Sequence, residues 1–177
     1  MVKNNTFRYA DSYFWADIAL LYIFGTAKIA GLYIQDNVQY TEGVLLATHE
    51  NTSRSVNTVH IEGNASAGNV HEVQLYGNLR NVFIGKNYLG QGIKLVTHGT
   101  NQENISIVDN QTLTVNIWQG SGSVAGKSNV SYNRMYTGTN TAAYPSRVDL
   151  NNSMITFNRA SNLSINGANN EVFGNMV

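Results

Sequence analysis

The most constraining feature of the sequence is a short alternating apolar segment that recurs and ends in asparagine or glycine. Copies read "TVHIEGN" at 58–64, "NVFIG" at 81–85 and "NISIVDN" at 104–110. In the last copy, alternation places Ile105 and Ile107 on one face of a strand and the serine between them on the other. Such segments are too short for helices, and the hairpin dipeptide Asn-Gly occurs only once. Short strands with bends but few reversals predict a solenoid, in which each strand pairs with the one a full turn later.

The C-terminal part shows the repeat in blocks of eight residues, counted from Ser153. The fifth position of successive blocks is Phe157, Ile165 and Phe173. Three faces of this size predict a turn of about 24 residues. We expect Asn and Gly at the corners between faces, because both tolerate the left-handed backbone of a sharp bend. Stacked corner asparagines would also form a ladder of amide hydrogen bonds. The alternative interpretation is that the Asn-rich segments are low-complexity loops.

The composition limits the classes of partner. Charged residues make up 12% of the chain, well below the usual ~25%, and the net charge is zero. Twenty-five asparagines, with many Ser and Thr, supply an uncharged polar surface. This surface argues against nucleic acid, which requires a basic face, and suits neutral, hydroxyl-rich partners such as glycans. The chain has no cysteine, so a disulfide-stapled secreted scaffold is not expected.

The most apolar stretch, "FWADIALLYIF" at 14–24, is interrupted by Asp17. It falls short of the ~20 apolar residues that a membrane-spanning helix needs. We therefore expect buried strands here and no membrane insertion.

From about Lys28 onward, the short strand, the Asn or Gly corner and the long turn resemble the right-handed parallel β-helix of the pectate-lyase-like superfamily. The absence of Cys and the abundance of Asn, Gly, Ser and Thr are similar to bacteriophage tailspikes and tail appendages. The resemblance implies an all-β, right-handed parallel β-helix (solenoid), with 153–177 as a candidate for an intertwined trimeric section. It further implies a homotrimer in the virion that contacts other phage tail proteins. There it would bind or cut bacterial surface polysaccharide at the host cell surface.

We expect one continuous domain that is part of a longer protein. Residues 1–27 would supply lead-in strands, 28–135 the rungs of the β-helix and 153–177 Asn-rich octad rungs. Two segments look like loop excursions, at 119–129 and at 136–152, and the second contains the sole proline.

Glu62 and Glu72 are the candidates for catalysis, because each lies beside a histidine. Glycoside hydrolysis generally needs two carboxylates ~5–9.5 Å apart. If Val59 and Ile61 point inward, then His60 and Glu62 face outward together on one wall of the solenoid. The histidines recur every 11 residues, which does not match the proposed turn. Outward polar residues of ordinary strands are therefore the alternative reading.

No motif for a metal or cofactor is present. The sequence lacks H-E-x-x-H, an EF-hand loop, a phosphate-binding loop and a G-x-S-x-G elbow. It also lacks the clustered acids with which pectate lyases hold calcium. We expect neither a metal nor a cofactor, and whether the protein depolymerises a polysaccharide, as a glycoside hydrolase or a lyase, is left open.

Aromatic residues are the better indication of a binding surface. The chain has 10 Tyr and 2 Trp. Sugar rings pack their C–H faces on aromatic rings, while their hydroxyls pair with amides and carboxylates. The candidates for carbohydrate binding are His60 together with Trp15, Tyr33, Tyr76, Trp118, Tyr132 and Tyr136. Each of these rings could instead fill the core or cap a strand.

The function that the sequence favours is a phage tailspike or tail-appendage segment that binds host-surface polysaccharide. Two alternatives stay open: a purely structural trimerising or tip section of a spike, and a secreted β-helix polysaccharide lyase or adhesin. A carboxylate pair in a groove would indicate an enzyme, and intertwined chains would indicate a structural section. An aromatic groove without the carboxylate pair would indicate a binding module.

Overall fold

The computed structural model describes residues 1–7, 19–23, 28–39, 44–48, 54–66, 71–97, 103–119, 127–136 and 146–177. In these ranges all regular secondary structure is β-strand, and all strand pairs are parallel. The prediction of an all-β parallel solenoid is confirmed. Trp15 lies outside the described residues, as do residues 120–126 and 137–145 of the two expected loop excursions.

The strands lie on three faces. The first face holds β1 (Val2–Lys3), β4 (Ile29–Gln35), β7 (Ser55–Glu62), the second half of β9 (His71–Gly85), β12 (Glu103–Val108), β15 (Asn129–Ser131), β18 (Met154–Thr156) and β21 (Glu171–Phe173). The second face holds β2 (Thr6–Phe7), β5 (Val38–Gln39), β8 (Ala65–Ser66), β10 (Tyr88–Leu89), β13 (Gln111–Thr112), β16 (Arg134–Met135) and β19 (Arg159–Ala160). The third face holds β3 (Ala19–Ile23), β6 (Val44–Thr48), the first half of β9, β11 (Gly92–Thr97), β14 (Thr114–Gln119), β17 (Ser146–Asp149) and β20 (Leu163–Asn166).

The core consists of aliphatic columns that run along the axis of the solenoid. On the first face the column contains Ile34, Ile61, Ile84, Ile107, Val130 and Ile155, each in register with the next and each fully buried. On the third face Leu75, Leu95, Ile117 and Val148 form a second such column. Stacking like residues removes apolar area from water at every rung, which is the main driving force for this packing.

A five-residue motif sets the register of the first face. Its copies read "MVKNN", "YIQDN", "HIEGN", "FIGKN", "SIVDN", "NVSYN", "MITFN" and "EVFGN". The second residue points into the core, and the final asparagines form the inner ladder: Asn5, Asn37, Asn64, Asn87, Asn110, Asn133, Asn158 and Asn175. The side-chain oxygen of each member after the first accepts two N–H groups from the preceding asparagine at 2.9–3.2 Å, one from its backbone and one from its side chain. The predicted amide ladder therefore exists, and most of it is buried.

The residue before each inner-ladder asparagine forms the corner column, and its backbone is left-handed throughout. Its members have φ between 53° and 69°: Asn4, Asp36, Gly63, Lys86, Asp109, Tyr132, Phe157 and Gly174. Non-glycine residues adopt this conformation at a cost of about 1–2 kcal/mol. Backbone hydrogen bonds between rungs offset this cost; for example, the N–H of Lys86 donates to the carbonyl of Val108 at 3.1 Å. The bend turns the side chains of this column outward.

Turn length varies more than the octad pattern predicts. Successive inner-ladder asparagines lie 32, 27, 23, 23, 23, 25 and 17 residues apart. The 17-residue turn between Asn158 and Asn175 still carries a strand on each face, because its connections are shorter. Strand β17 lies inside the 136–152 range that was expected to be a loop excursion. At the other end of the chain, the lead-in strands β1, β2 and β3 pair directly with β4, β5 and β6.

Candidate functional site

Three rings stack on the outer side of the first face, and we call them the ring ladder: Tyr33, His60 and Phe83. They stand at the first position of the five-residue motif in β4, β7 and β9 and are in register. The ring centroids of Tyr33 and His60 are 6.0 Å apart, and those of His60 and Phe83 are 4.6 Å apart, with interplanar angles of 28° and 23°. All three side chains are half-buried, so part of each ring remains open to solvent.

A charged network lies beside the ring ladder. Glu62 accepts a hydrogen bond from the Lys86 ammonium at 2.9 Å, and its other oxygen is 2.9 Å from Nε2 of His60. The hydrogen bond from Lys86, and next that from His60, lower the pKa of Glu62 below its ordinary value. Glu62 in turn raises the pKa of Lys86. The carboxylate is therefore ionised over the whole neutral range, and it orients the His60 ring within the stack.

Further aromatic rings lie in the corner column or directly beside it. Tyr132 stacks on Phe157 with centroids 5.2 Å apart and an interplanar angle of 12°, and Phe157 meets Phe173 edge to face at 5.2 Å. A hollow of about 350 Å³, the first hollow, lies between Phe83 and Tyr132 and is also lined by Lys86, Val108 and Asp109. It therefore offers an aromatic wall at each end and both signs of charge between them.

A second hollow of about 600 Å³ continues the same face. Its floor contains Ser106, Asn129 and Met154, which occupy the motif position of the ring ladder in the next three rungs. The side-chain oxygen of Asn129 is buried and has no hydrogen-bond partner among the described residues. The outer side of the first face is thus one strip, with rings over three rungs and then a polar trough.

The other predicted binding aromatics lie on other faces. Tyr76 is 6% exposed on the third face, and the Lys94 ammonium stands 5.3 Å from its ring centroid. Trp118, on the same face, is 47% exposed, but the Arg147 guanidinium lies 5.2 Å from its ring centroid. Arg147 is itself held by Asp149 through hydrogen bonds of 2.8 and 2.9 Å, which also raise its pKa. A cation therefore stands over each of these two rings, and Trp118 stays half-exposed.

The structure separates the remaining candidates. Tyr136 follows β16 on the second face and is exposed. Glu72 stands in the first half of β9, which pairs with strands of the third face, whereas the register partners of Glu62 are Gln35 and Gly85 on the first face. The strand register therefore does not bring the two glutamates opposite each other. Of the predicted set, Tyr33, His60, Glu62 and Tyr132 share the first-face strip.

Sequence reasoning missed Phe83 and Phe157, which complete the two aromatic stacks. A signal for them exists in the five-residue motif. When its asparagines are aligned, the residue four places earlier reads Tyr33, His60 and Phe83 in consecutive copies, and the residue one place earlier reads Tyr132 and Phe157.

Neither a metal cluster nor a membrane span is found in the described part of the chain. It contains no group of three or more His, Cys, Asp or Glu side chains arranged to hold a metal ion. It also contains no helix long and apolar enough to cross a membrane. Comparison with protein-family models, with curated proteins and with solved structures found no match to this chain. The architecture alone therefore defines its class, a parallel β-solenoid with an aromatic and amide-lined strip along one face.

Proposed function

We propose that this chain binds a bacterial surface polysaccharide along the first-face strip, as a β-solenoid segment of a phage tail appendage. The observation that carries the proposal is the ring ladder, Tyr33, His60 and Phe83, in line with the polar trough of Ser106 and Asn129. Aromatic rings bind the C–H faces of sugars, and amides and hydroxyls bind their hydroxyl groups. A strip that presents aromatic rings and then amides and hydroxyls along one line suits a chain of sugars.

The repeat of the fold supports a linear ligand that runs parallel to the axis. Neighbouring rungs lie about 4.8 Å apart, which is close to the advance of one sugar residue along an extended glycan. Each sugar would then meet an equivalent position on the next rung. A small, compact ligand would leave most of the strip unused.

The charges of the strip favour an uncharged glycan. Glu62 is paired with Lys86, and the whole chain has zero net charge. An acidic polysaccharide would find no unpaired cluster of cations here among the described residues. Binding should therefore change little with salt concentration, because screening acts mainly on unpaired exposed charges.

The proposal is binding without cleavage. A glycosidase needs a protonated carboxylic acid beside a second carboxylate. Glu62 has a lowered pKa, because Lys86 and His60 hydrogen-bond to its ionised form. It is therefore poorly suited to donate a proton. Incubation with a bound polysaccharide should release no reducing ends, and release that the substitution Glu62→Gln abolishes would show that the protein is an enzyme.

The test is a titration of purified capsular and O-antigen polysaccharides by calorimetry, with variants of the ring ladder. Tyr33→Ala and Phe83→Ala should each weaken binding of the best ligand about tenfold, equivalent to about 1.4 kcal/mol. Trp118→Ala is the matched control, because it removes an exposed ring on another face. The proposal fails if no polysaccharide binds, or if Trp118→Ala weakens binding as much as the ring-ladder variants do.

A structural section of a spike is the second candidate. The observation that favours it is the inner ladder, which ties every described turn to the next and would stiffen a long shaft. Both candidates predict a homotrimer, which sedimentation equilibrium would detect as three times the mass of the chain. A stable trimer that binds none of the polysaccharides would favour the structural candidate.

A further inference from the structure

A second set of asparagines, the outer ladder, runs along the edge of the first-face strip and is interrupted once. Asn57, Asn81 and Asn104 form its first part, and Asn152 and Asn169 form its second part. The side-chain nitrogens of Asn81 and Asn104 donate to the preceding side-chain oxygens at 2.9 and 3.0 Å, and Asn169 donates to Asn152 at 3.3 Å. The register of β12, β15 and β18 places Lys127 between the two parts.

The two sides of this gap present complementary groups. In each pair the nitrogen points to the preceding rung, so the oxygen of Asn104 and the nitrogen of Asn152 both face the rung of Lys127. The Asn104 side-chain oxygen accepts no hydrogen bond, and the Asn152 side-chain nitrogen donates none, among the described residues. An ammonium can donate to Asn104 but cannot accept from Asn152, because it has no lone pair. Lys127 therefore cannot complete the outer ladder.

The gap opens onto the second hollow. Asn104, Lys127 and Asn152 line this hollow, together with Asn129 and Met154 on its floor. The two rungs that flank the gap are about 9–10 Å apart, the distance that one intervening amide spans in the ladder. Met154 is 43% exposed and offers an apolar contact.

We propose that the second hollow binds the acetamido group of an N-acetylated sugar, which takes the place of the missing amide. The acetamido N–H donates to the side-chain oxygen of Asn104, and its carbonyl accepts from the side-chain nitrogen of Asn152. The methyl group packs on Met154. A plain hydroxyl at the same position of the sugar cannot span both asparagines. This inference rests on the proposed function and specifies its ligand as a glycan that contains N-acetylhexosamine.

The probes are the methyl glycosides of N-acetylglucosamine and N-acetylgalactosamine, each compared with its parent sugar that carries a hydroxyl in place of the acetamido group. Ligand-observed NMR titration should show binding of at least one acetamido sugar, at least tenfold tighter than its parent. Saturation transfer should be strongest at the acetyl methyl protons. Equal binding of the acetamido sugars and their parents would overturn the proposal.

Two substitutions locate the site. Asn152→Asp replaces the donating nitrogen by an acceptor and should reduce acetamido binding at least tenfold. Asn81→Asp is the matched control, because Asn81 has the same left-handed backbone, with φ 51° at both positions, but does not line the hollow. It should bind as the wild type does. If both variants bind alike, the acetamido group is not held at this gap.

Lys127→Asn supplies the missing amide from the chain itself. It should raise the unfolding midpoint, because the outer ladder becomes continuous, and it should abolish acetamido binding. Unchanged binding in a more stable variant would overturn the proposed site. The two proposals can also fail separately. If polysaccharide binding depends on Tyr33 but not on the acetamido group, the acetamido site is wrong and the proposed function stands. If acetamido sugars bind but no polysaccharide does, the proposed function is wrong and the acetamido site stands.

Discussion

At the scale of single residues, the inner ladder shows why asparagine recurs in this sequence. Asn110 uses its whole side chain: the oxygen accepts from Asn87 twice, and the nitrogen donates to Asn133 and to the carbonyls of Ile84 and Val108. The residue is 2% exposed, so no water replaces these partners. The amide at this position is buried in every rung from Asn37 to Asn158, which explains the strict position of Asn in the motif.

Asn110→Ala is therefore expected to lower the free energy of unfolding by about 3–5 kcal/mol. The backbone N–H of Asn87 loses its acceptor, and a buried unsatisfied group costs about 1–3 kcal/mol. The side-chain nitrogen of Asn87 and the carbonyls of Ile84 and Val108 each lose one hydrogen bond, worth about 0.5–1.5 kcal/mol apiece. Chemical denaturation monitored by circular dichroism measures the loss. Asn57→Ala, which removes an exposed amide of the outer ladder, should cost less than about 1 kcal/mol. Equal losses would contradict the stabilising role assigned to the inner ladder.

Glu62 makes the stability depend on pH in the acidic range. Its pKa is lowered in the folded protein by Lys86 and His60, below the ordinary value of 4.5. The stabilisation is fully present above the unfolded value and is lost as the pH falls through the folded pKa. Glu62→Gln should therefore unfold at a lower temperature than the wild type at neutral pH, and at the same temperature once the Glu62 carboxyl group is protonated in the folded and unfolded states. Glu103→Gln is the control, because Glu103 makes no ion pair among the described residues. If the unfolding midpoints of Glu62→Gln and the wild type still differ in acid, the assignment is contradicted.

At the scale of elements, β9 is the strand that joins two faces. Its first half pairs with β6 and β11 and its second half with β7 and β12. Gly77 stands at the change, with φ 133°, and a Cβ there would meet the backbone carbonyl of Arg54. That carbonyl cannot move aside easily, since it accepts the N–H of Asn78 at 2.8 Å. The bend therefore depends on the absence of a side chain at this position.

Gly77→Ala should destabilise the protein by about 2–4 kcal/mol, because backbone strain and a clash with fixed backbone act together. Gly31→Ala is the comparison, since Gly31 also has a positive φ, of 69°, but among the described residues other than its chain neighbours nothing lies within 4 Å of the position that a Cβ would take there. It should cost about 1 kcal/mol. Thermal unfolding of the two variants measures the difference, and a smaller loss for Gly77→Ala would mean that β9 can bend without glycine.

The sequence allowed the parallel solenoid, the ladder of stacked asparagines and the outward direction of His60 and Glu62 to be predicted. The sequence did not allow the pairing partners of each rung to be predicted. Turn length changes from 32 to 17 residues, so a repeat of fixed length assigns the wrong partners. The pairing of His60 with Phe83 depends on the correct partners. The sequence also did not reveal that cations stand over Tyr76 and Trp118, since Arg147 lies far from Trp118 along the chain and meets it only through the pairing of β14 with β17. Aligning the inner-ladder asparagines, rather than counting octads, recovers the first-face strip.

At the scale of the whole molecule, the solenoid turns a local motif into a surface of regular length. Each rung adds one outward position to the first face, and the ring ladder and trough follow each other because the residue at that position changes from rung to rung. From Tyr33 to Glu171 the register crosses six steps between rungs. At about 4.8 Å a step, the strip is about 29 Å long. The described rungs therefore present seven successive positions to a ligand that lies along the strip.

This length gives a prediction that neither a pocket nor a flat surface would share. For oligosaccharides cut from a polysaccharide that binds, affinity for this chain should rise with each added residue up to about six, because each added sugar meets one further described rung. Calorimetric titration of a size series measures this, and Phe83→Ala should lower the affinity of every member long enough to reach the third ring. Trp118→Ala should leave the whole series unchanged. Affinity that is already maximal for a disaccharide would show that a single hollow, and not the strip along the solenoid, holds the glycan.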